Sequence, residues 1–248
     1  AGNNAQYNYG GGVYVSGGVV SNCVMQNGIA RGGGSGAYVK STGLLVDCVI
    51  TNNKPVSWSC YYGAGLYMTG GTVQNTLIAD NVLPDYASDG GGVYMTGGRL
   101  LSCSIVSNKN AATHVTGGGT LSGGGIYRTG GVISNCIVYG NTTALADDDD
   151  NLAGPGVIEA CWYSSSPGLT NAENFNITDD PLLATDGSYR LQSKAGRWTS
   201  AGWVTDAQHS PCIDQGPPAW DFSREPAYNG GRINMGFDAN TALASKSL

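Results

Sequence analysis

The stretch Gly90-Gly-Gly-Val-Tyr-Met-Thr-Gly-Gly98 decides the fold, because four other segments repeat its pattern in whole or in part. They are Gly10-Gly-Gly-Val-Tyr-Val-Ser-Gly-Gly18, Gly34-Ser-Gly-Ala-Tyr-Val39, Gly63-Ala-Gly-Leu-Tyr-Met-Thr-Gly-Gly71 and Gly123-Gly-Gly-Ile-Tyr-Arg-Thr-Gly-Gly131. Each carries one tyrosine: Tyr14, Tyr38, Tyr67, Tyr94 and Tyr127. Nine or ten residues later comes a second recurrent slot, held by Cys23, Cys48, Thr76, Cys103 and Cys136. A sixth copy keeps only this half, in Val157-Ile-Glu-Ala-Cys161. Successive slots are 25, 28, 27, 33 and 25 residues apart, as expected of coils with one cross-section and loops of varying length.

Each repeat holds two short β-rich runs separated by Gly-Gly, and no ten-residue window has helical periodicity. Helical repeats are therefore excluded, and the fold expected is an all-β, right-handed parallel β-helix. The residues before each tyrosine (Val13, Ala37, Leu66, Val93, Ile126) and those two after the slot (Met25, Ile50, Ile78, Ile105, Val138) read as inward columns. The slot, Cys161 included, should line the interior beside them as a structural ladder. Asn22, Asp47, Asn75, Ser102 and Asn135 precede it and suit a corner, since short polar side chains tolerate tight backbone turns. Equivalent residues on stacked coils lie about 4.8 Å apart, which predicts asparagine and tyrosine ladders.

Composition agrees. Among 248 residues there are 40 glycines, 14 tyrosines, 3 phenylalanines and only 12% charged residues. A net charge of −6 without a basic run argues against nucleic acid as partner. No apolar stretch is long enough to cross a bilayer, so no transmembrane segment is expected, and the chain reads as a mature secreted product lacking its export signal. Regular coils are assigned to residues 1–143. Residues 144–248 read as irregular coils, further strands and loops of the same solenoid.

Four motifs of this second part are Asp179-Asp-Pro-Leu-Leu183, Tyr189-Arg-Leu-Gln192, Ser210-Pro-Cys-Ile-Asp-Gln-Gly216 and Gly230-Gly-Arg-Ile-Asn-Met-Gly236. In that order they resemble the C-terminal part of secreted bacterial right-handed β-helix repeat proteins, the pectate-lyase-like superfamily. The resemblance spans nearly the whole chain. It implies the fold and an extracellular or cell-surface location strongly and implies function weakly, since that superfamily contains lyases, hydrolases and adhesins.

Seven cysteines leave at least one unpaired within the chain. Those of the ladder read mainly as small buried apolar groups, and the preferred single disulfide joins Cys161 to Cys212. Lyase chemistry needs clustered aspartates and a basic side chain, yet no column holds carboxylates on successive coils. If the protein is an enzyme, Arg128 and Arg99 are the catalytic candidates, Arg128 because valine or methionine fills its slot in the other copies. Neither His114 nor His209 lies in Gly-His-Gly, so polygalacturonase-type hydrolysis is not indicated. No cofactor is expected, although Asp147, Asp148, Asp149 and Asp150 are weak candidates for Ca²⁺.

The leading expectation is a non-enzymatic structural or adhesive solenoid that self-associates end to end into a filament through its coil ends. One alternative is a lyase or hydrolase acting on acidic glycans. Another is a carbohydrate-binding module using Tyr14, Tyr38, Tyr67, Tyr94 and Tyr127, which alternation would turn outward as an aromatic stripe about 20 Å long.

Overall fold

A computed structural model describes residues 4–5, 8–55, 62–85, 89–114, 120–144, 151–154, 157–159, 162–163, 179–227 and 229–248, with only the backbone for 157–159 and 162–163. Among these residues there is no helix, and so none long and apolar enough to cross a membrane. Parallel strands stack as a β-solenoid of about five turns, as the repeat predicts.

Strands Val13–Val15, Ala37–Val39, Leu66–Gln74, Val93–Leu101, Ile126–Arg128 and Leu152–Ala153 stack in parallel, Tyr14 on Tyr38 on Tyr67 on Tyr94 on Tyr127, and the register of the two long strands shifts between Met95 and Arg99 at the Gly-Gly bend. Beyond the Gly-Gly bend, the second runs stack on the same sheet. A six-stranded sheet follows, made of Val24–Gln26, Val49–Thr51, Leu77–Ala79, Ser104–Val106, Ile137–Tyr139 and Trp162–Tyr163. The corner between them holds Asn22, Asp47, Asn75, Ser102 and Asn135 at positive φ, 46 to 56°.

Period-2 alternation turns one set of side chains inward. Ala37, Leu66, Val93 and Ile126 are fully buried, as are Leu45, Val73, Leu100 and Ile133 from the second runs and Ile50, Ile78, Ile105 and Val138 from the six-stranded sheet. Cys48, Cys103 and Cys136 join the same core and Thr76 is equally buried, whereas Cys23 on the first coil is exposed. The thiols donate to carbonyls two residues back, at 3.1 to 3.3 Å.

The asparagine ladder lies at a different corner from the one expected. Asn53, Asn81, Asn108 and Asn141, each five residues after the slot, are buried at 3% exposure or less. The Nδ2 of Asn81 donates to Asn108 Oδ1 at 2.9 Å and to Ile50 O at 3.0 Å, while Asn108 Oδ1 also accepts the Asn81 backbone N–H at 3.0 Å. The same three bonds recur one coil earlier and one coil later. The ladder needs glycine opposite it. A Cβ on Gly92 would lie 2.8 Å from Asn108 Nδ2 and 2.7 Å from Gly125 O, so the third glycine of the motif makes room for the amide.

Residues 179–248 differ from expectation. The stretches 189–192, 210–214 and 230–236 are not further strands of the stack; apart from the hairpin Arg197–Thr199 with Gly202–Val204, this region is turns. It lies against the outer side of the six-stranded sheet. Leu191, Cys212, Ile213 and Met235 pack on Leu77, Ala79, Val106 and Ile137. Outward positions of this sheet's middle strands include the apolar Leu77, Ala79, Val106 and Ile137, which a solvated face would not carry, and the layer keeps these from water. Polar ties fasten it: Asn75 Nδ2 to Ala239 O at 3.1 Å, Asn135 Nδ2 to Asn234 O at 2.9 Å, and Tyr189 Oη to Asp80 at 2.8 Å. Arg197 bonds Asp186 at 2.7 Å and Asp206 at 3.0 Å; hydrogen bonds from Ser188, with Arg197 adding to them, hold the Asp186 carboxyl below the usual range, and against the opposing effect of burial Arg197 lowers that of Asp206. Buried Glu225 accepts the backbone N–H groups of Asn234 and Asn240, both at 2.9 Å.

Two predictions follow from these contacts. Asn108→Ala removes its amide bonds and strands the Asn81 amide, so urea unfolding should show a loss of about 3–5 kcal/mol, against under about 0.5 for Thr129→Ala at an exposed position. Burial pushes the Glu225 carboxyl up to about 7 despite its two N–H partners. A raised carboxyl stabilises the fold fully below its ordinary pKa, and that contribution fades as pH rises through about 7. Glu225→Gln keeps the acceptor oxygen without the charge, so its melting temperature should exceed that of the natural chain at pH 8 but not at pH 5. Equal pH profiles for the two proteins would contradict this assignment.

Candidate functional site

The outward face of the first sheet is the most ordered chemical surface of the molecule. Its tyrosines stack along the axis, with ring centroids 5.0 Å apart for Tyr14 and Tyr38, 4.9 Å for Tyr38 and Tyr67, 5.5 Å for Tyr67 and Tyr94, and 5.3 Å for Tyr94 and Tyr127. Two further rings, Tyr9 and Tyr62, stand in a flanking column five residues before Tyr14 and Tyr67. Tyr9 lies 5.0 Å from Tyr38, and Tyr62 lies 4.4 Å from Tyr94. Between them the flanking column carries Gly33, where a Cβ would press on Tyr62 and Tyr67. Tyr9 and Tyr62 were not singled out among the expected site residues, although the recurring Tyr-Gly-x-Gly-x-Tyr at 9–14 and 62–67 carries their signal.

Stacking changes what the face can do. Tyr38 with Tyr67 and Tyr94 with Tyr127 lie face to face, at 28 and 24°, whereas Tyr14 meets Tyr38 and Tyr67 meets Tyr94 edge to face, at 65 and 71°, so every ring of the column has a neighbour against it. Tyr14, at the end of the stack, is 48% exposed, whereas Tyr38 and Tyr94 are 9% exposed. Two positions beyond each tyrosine, on the same side of the sheet, stand Ser16, Lys40, Thr69, Thr96 and Thr129. The two columns touch where Tyr38 Oη and Thr69 Oγ1 are 3.1 Å apart, and Lys40 Nζ lies 5.5 Å from the Tyr14 ring centroid. Asp89 closes the flank of the stripe, accepting from Thr120 N, Thr120 Oγ1 and Ser122 N at 2.9 to 3.0 Å.

The two arginines weighed as catalytic are not brought together. Arg128 occupies the inward column beside Met95 and is fully buried, whereas Arg99 is exposed on the outside of the wall. Asp147 to Asp150 lie outside the described residues, as does Cys161. Cys212, expected to pair with Cys161, is a buried thiol under the outer layer, and burial pushes it up to about 12. Among the described residues, no group of three or more His, Cys, Asp or Glu side chains could hold a metal ion.

Burial raises the phenols of Tyr67 and Tyr94, with smaller contributions from neighbouring rings. For Tyr94 the value reaches about 12, with Tyr62 and Asp89 adding to the effect of burial, and Tyr67 is raised as well. Alkaline spectrophotometric titration should therefore show Tyr94→Phe losing a phenol that ionises only near pH 12. A variant whose absorbance change is already smaller than that of the natural chain by pH 10.5 would show that the stripe is open to water.

A family model described as disaggregatase related matches residues 34–216, a span that takes in the second coil onward and part of the outer layer. No curated protein and no solved structure matches the chain. With well over half of its length inside that one match, and with the coil register and outer layer that the match spans, the chain belongs to the disaggregatase-related family.

Proposed function

We propose that this protein is a secreted or cell-surface adhesive solenoid, not itself an enzyme, that grips polysaccharide along its tyrosine face. The observation that carries the reading is the outward column Tyr14, Tyr38, Tyr67, Tyr94 and Tyr127, followed two positions along each coil by Ser16, Lys40, Thr69, Thr96 and Thr129, with Thr69 opposite Gly97 where the register shifts. Hydroxyls and phenol edges repeated at the coil spacing of about 4.8 Å offer a polymer the same contact many times, so weak single contacts sum. Mutual stacking already orders the rings, which lowers the entropy that binding must offset.

Membership in a disaggregatase-related family is in keeping with a part that holds the material of an aggregate. Against an enzymatic role on acidic glycans stands the position of Arg128, sealed in the core, away from any substrate on the outer wall. End-to-end association belongs to the same reading, because it would lengthen the gripping face.

Affinity electrophoresis through gels containing polygalacturonate, chondroitin sulfate or a neutral β-glucan tests the proposal. The natural chain should be retarded by at least one of them, and Thr69→Val combined with Thr96→Val should weaken that retardation about tenfold with unchanged stability. Mobility unaffected by all three polymers would sink the reading. So would release of unsaturated or reducing ends from any of them, since the protein would then be an enzyme.

A further inference from the structure

Where the outer layer meets the last regular coils, a cleft of about 330 Å³ opens between Tyr139 and Tyr189. Its floor is the corner formed by Ser107 and Gly140, and its rim carries Asp180, Thr185 and Gln192. A second cleft, of about 360 Å³, is bridged by the Arg190–Asp238 ion pair at 2.6 Å and is taken up by the protein's own charges.

The floor of the first cleft departs from the repeat. The corner column reads Asn27, Asn52, Asp80, Ser107 and Gly140, all at positive φ: 55, 52, 57, 54 and 64°. Four coils thus hold a side chain in this conformation, and only the fifth has glycine. The fold does not demand it, for a Cβ at Gly140 would meet nothing within 4 Å. What the glycine does is leave the floor bare where the layer arches over it, as backbone does where a ligand approaches closely.

The walls are equally specific. Tyr139 and Tyr189 line it on two sides: Tyr189 donates to Asp80 at 2.8 Å, and burial, together with nearby Asp180, raises the Tyr139 phenol. Gln192 Nε2 donates to Leu183 O at 3.1 Å, which turns its amide and leaves Oε1 as an acceptor for a ligand. Thr185 adds an exposed hydroxyl. Asp180 accepts from Leu182 N at 2.8 Å, and among the described residues no lysine or arginine lines the cleft.

From this arrangement we infer that the cleft is a binding site for a neutral saccharide, separate from the tyrosine face. Two aromatic walls suit the C–H faces of a sugar ring, the amide, hydroxyl and carboxylate suit its hydroxyl groups, and Asp180 repels a uronate or sulfate. The volume is at the lower end of the range of about 300–1,000 Å³ for small-molecule sites, room for one or two rings.

Isothermal titration of the full chain with chitotriose, cellotriose, maltotriose and trigalacturonate tests the site. At least one neutral trisaccharide should bind and trigalacturonate should not. Gly140→Asn, which gives the fifth coil the residue that Asn27 and Asn52 already show to fit this backbone, should weaken that binding tenfold or more. Thr185→Trp blocks the exposed rim without touching the ladder and should do the same should the first variant fold poorly. Thr69→Val with Thr96→Val should leave trisaccharide binding intact, which separates the cleft from the tyrosine face. The inference is overturned when no neutral trisaccharide binds, when trigalacturonate binds more tightly, or when both blocking variants bind as the natural chain does.

Discussion

A buried amide that must find its partners one coil above and one coil below is the constraint on which this molecule depends. Asn53, Asn81, Asn108 and Asn141 sit where no water can replace a lost bond, and each is satisfied only when its neighbours are in register. Aliphatic side chains alone would tolerate a slip along the strands. An asparagine column does not, because a slip of one residue strands donors and acceptors in the core of every coil at once. The third glycine of the repeated motif belongs to the same device, since any side chain there would collide with the amide.

Register, once set, is transmitted to the surface. Tyrosines stack on tyrosines because the interior allows only one alignment there, and the outward face repeats at the coil spacing until the register shifts at the Gly-Gly bend, where Thr69 lies opposite Gly97. The price is that neighbouring rings crowd one another, alternately edge to face and face to face. The stripe is consequently stiff and hydroxylated, a surface suited to many small polar contacts with a repeating polymer. Variation is confined to the loops between coils and to the outer layer, where length and composition change without disturbing the ladder.

The outer layer solves a different problem. A six-stranded sheet whose outward residues include Leu77, Val106 and Ile137 is apolar on both sides, and residues 179–248 return along the solenoid to cover it. A wall of the stack thereby becomes a seam between two surfaces of unlike shape, and seams leave clefts. That is why clefts open between the coils and the layer, the first of them where a column of side chains at the corner ends in Gly140.

By itself the sequence determined the parallel coils, the inward columns, the corner at Asn22, Asp47, Asn75, Ser102 and Asn135, and the outward turn of Tyr14, Tyr38, Tyr67, Tyr94 and Tyr127. These are local consequences of period-2 alternation and fixed spacing, and each copy of the motif repeats the same information. The buried asparagines were also legible, five residues after Cys48, Thr76, Cys103 and Cys136, but a polar residue beside a turn looks alike whether it faces water or a neighbouring coil. Only the tertiary structure decided that, and likewise the stacking that closes the rings on one another, the burial of Arg128, and the folding back of residues 179–248 onto the sheet. Each depends on contacts between residues far apart in the chain, whose partners no local pattern names; Phe237 N meets Ser104 Oγ across 133 residues, and that pairing exists only once both surfaces are built.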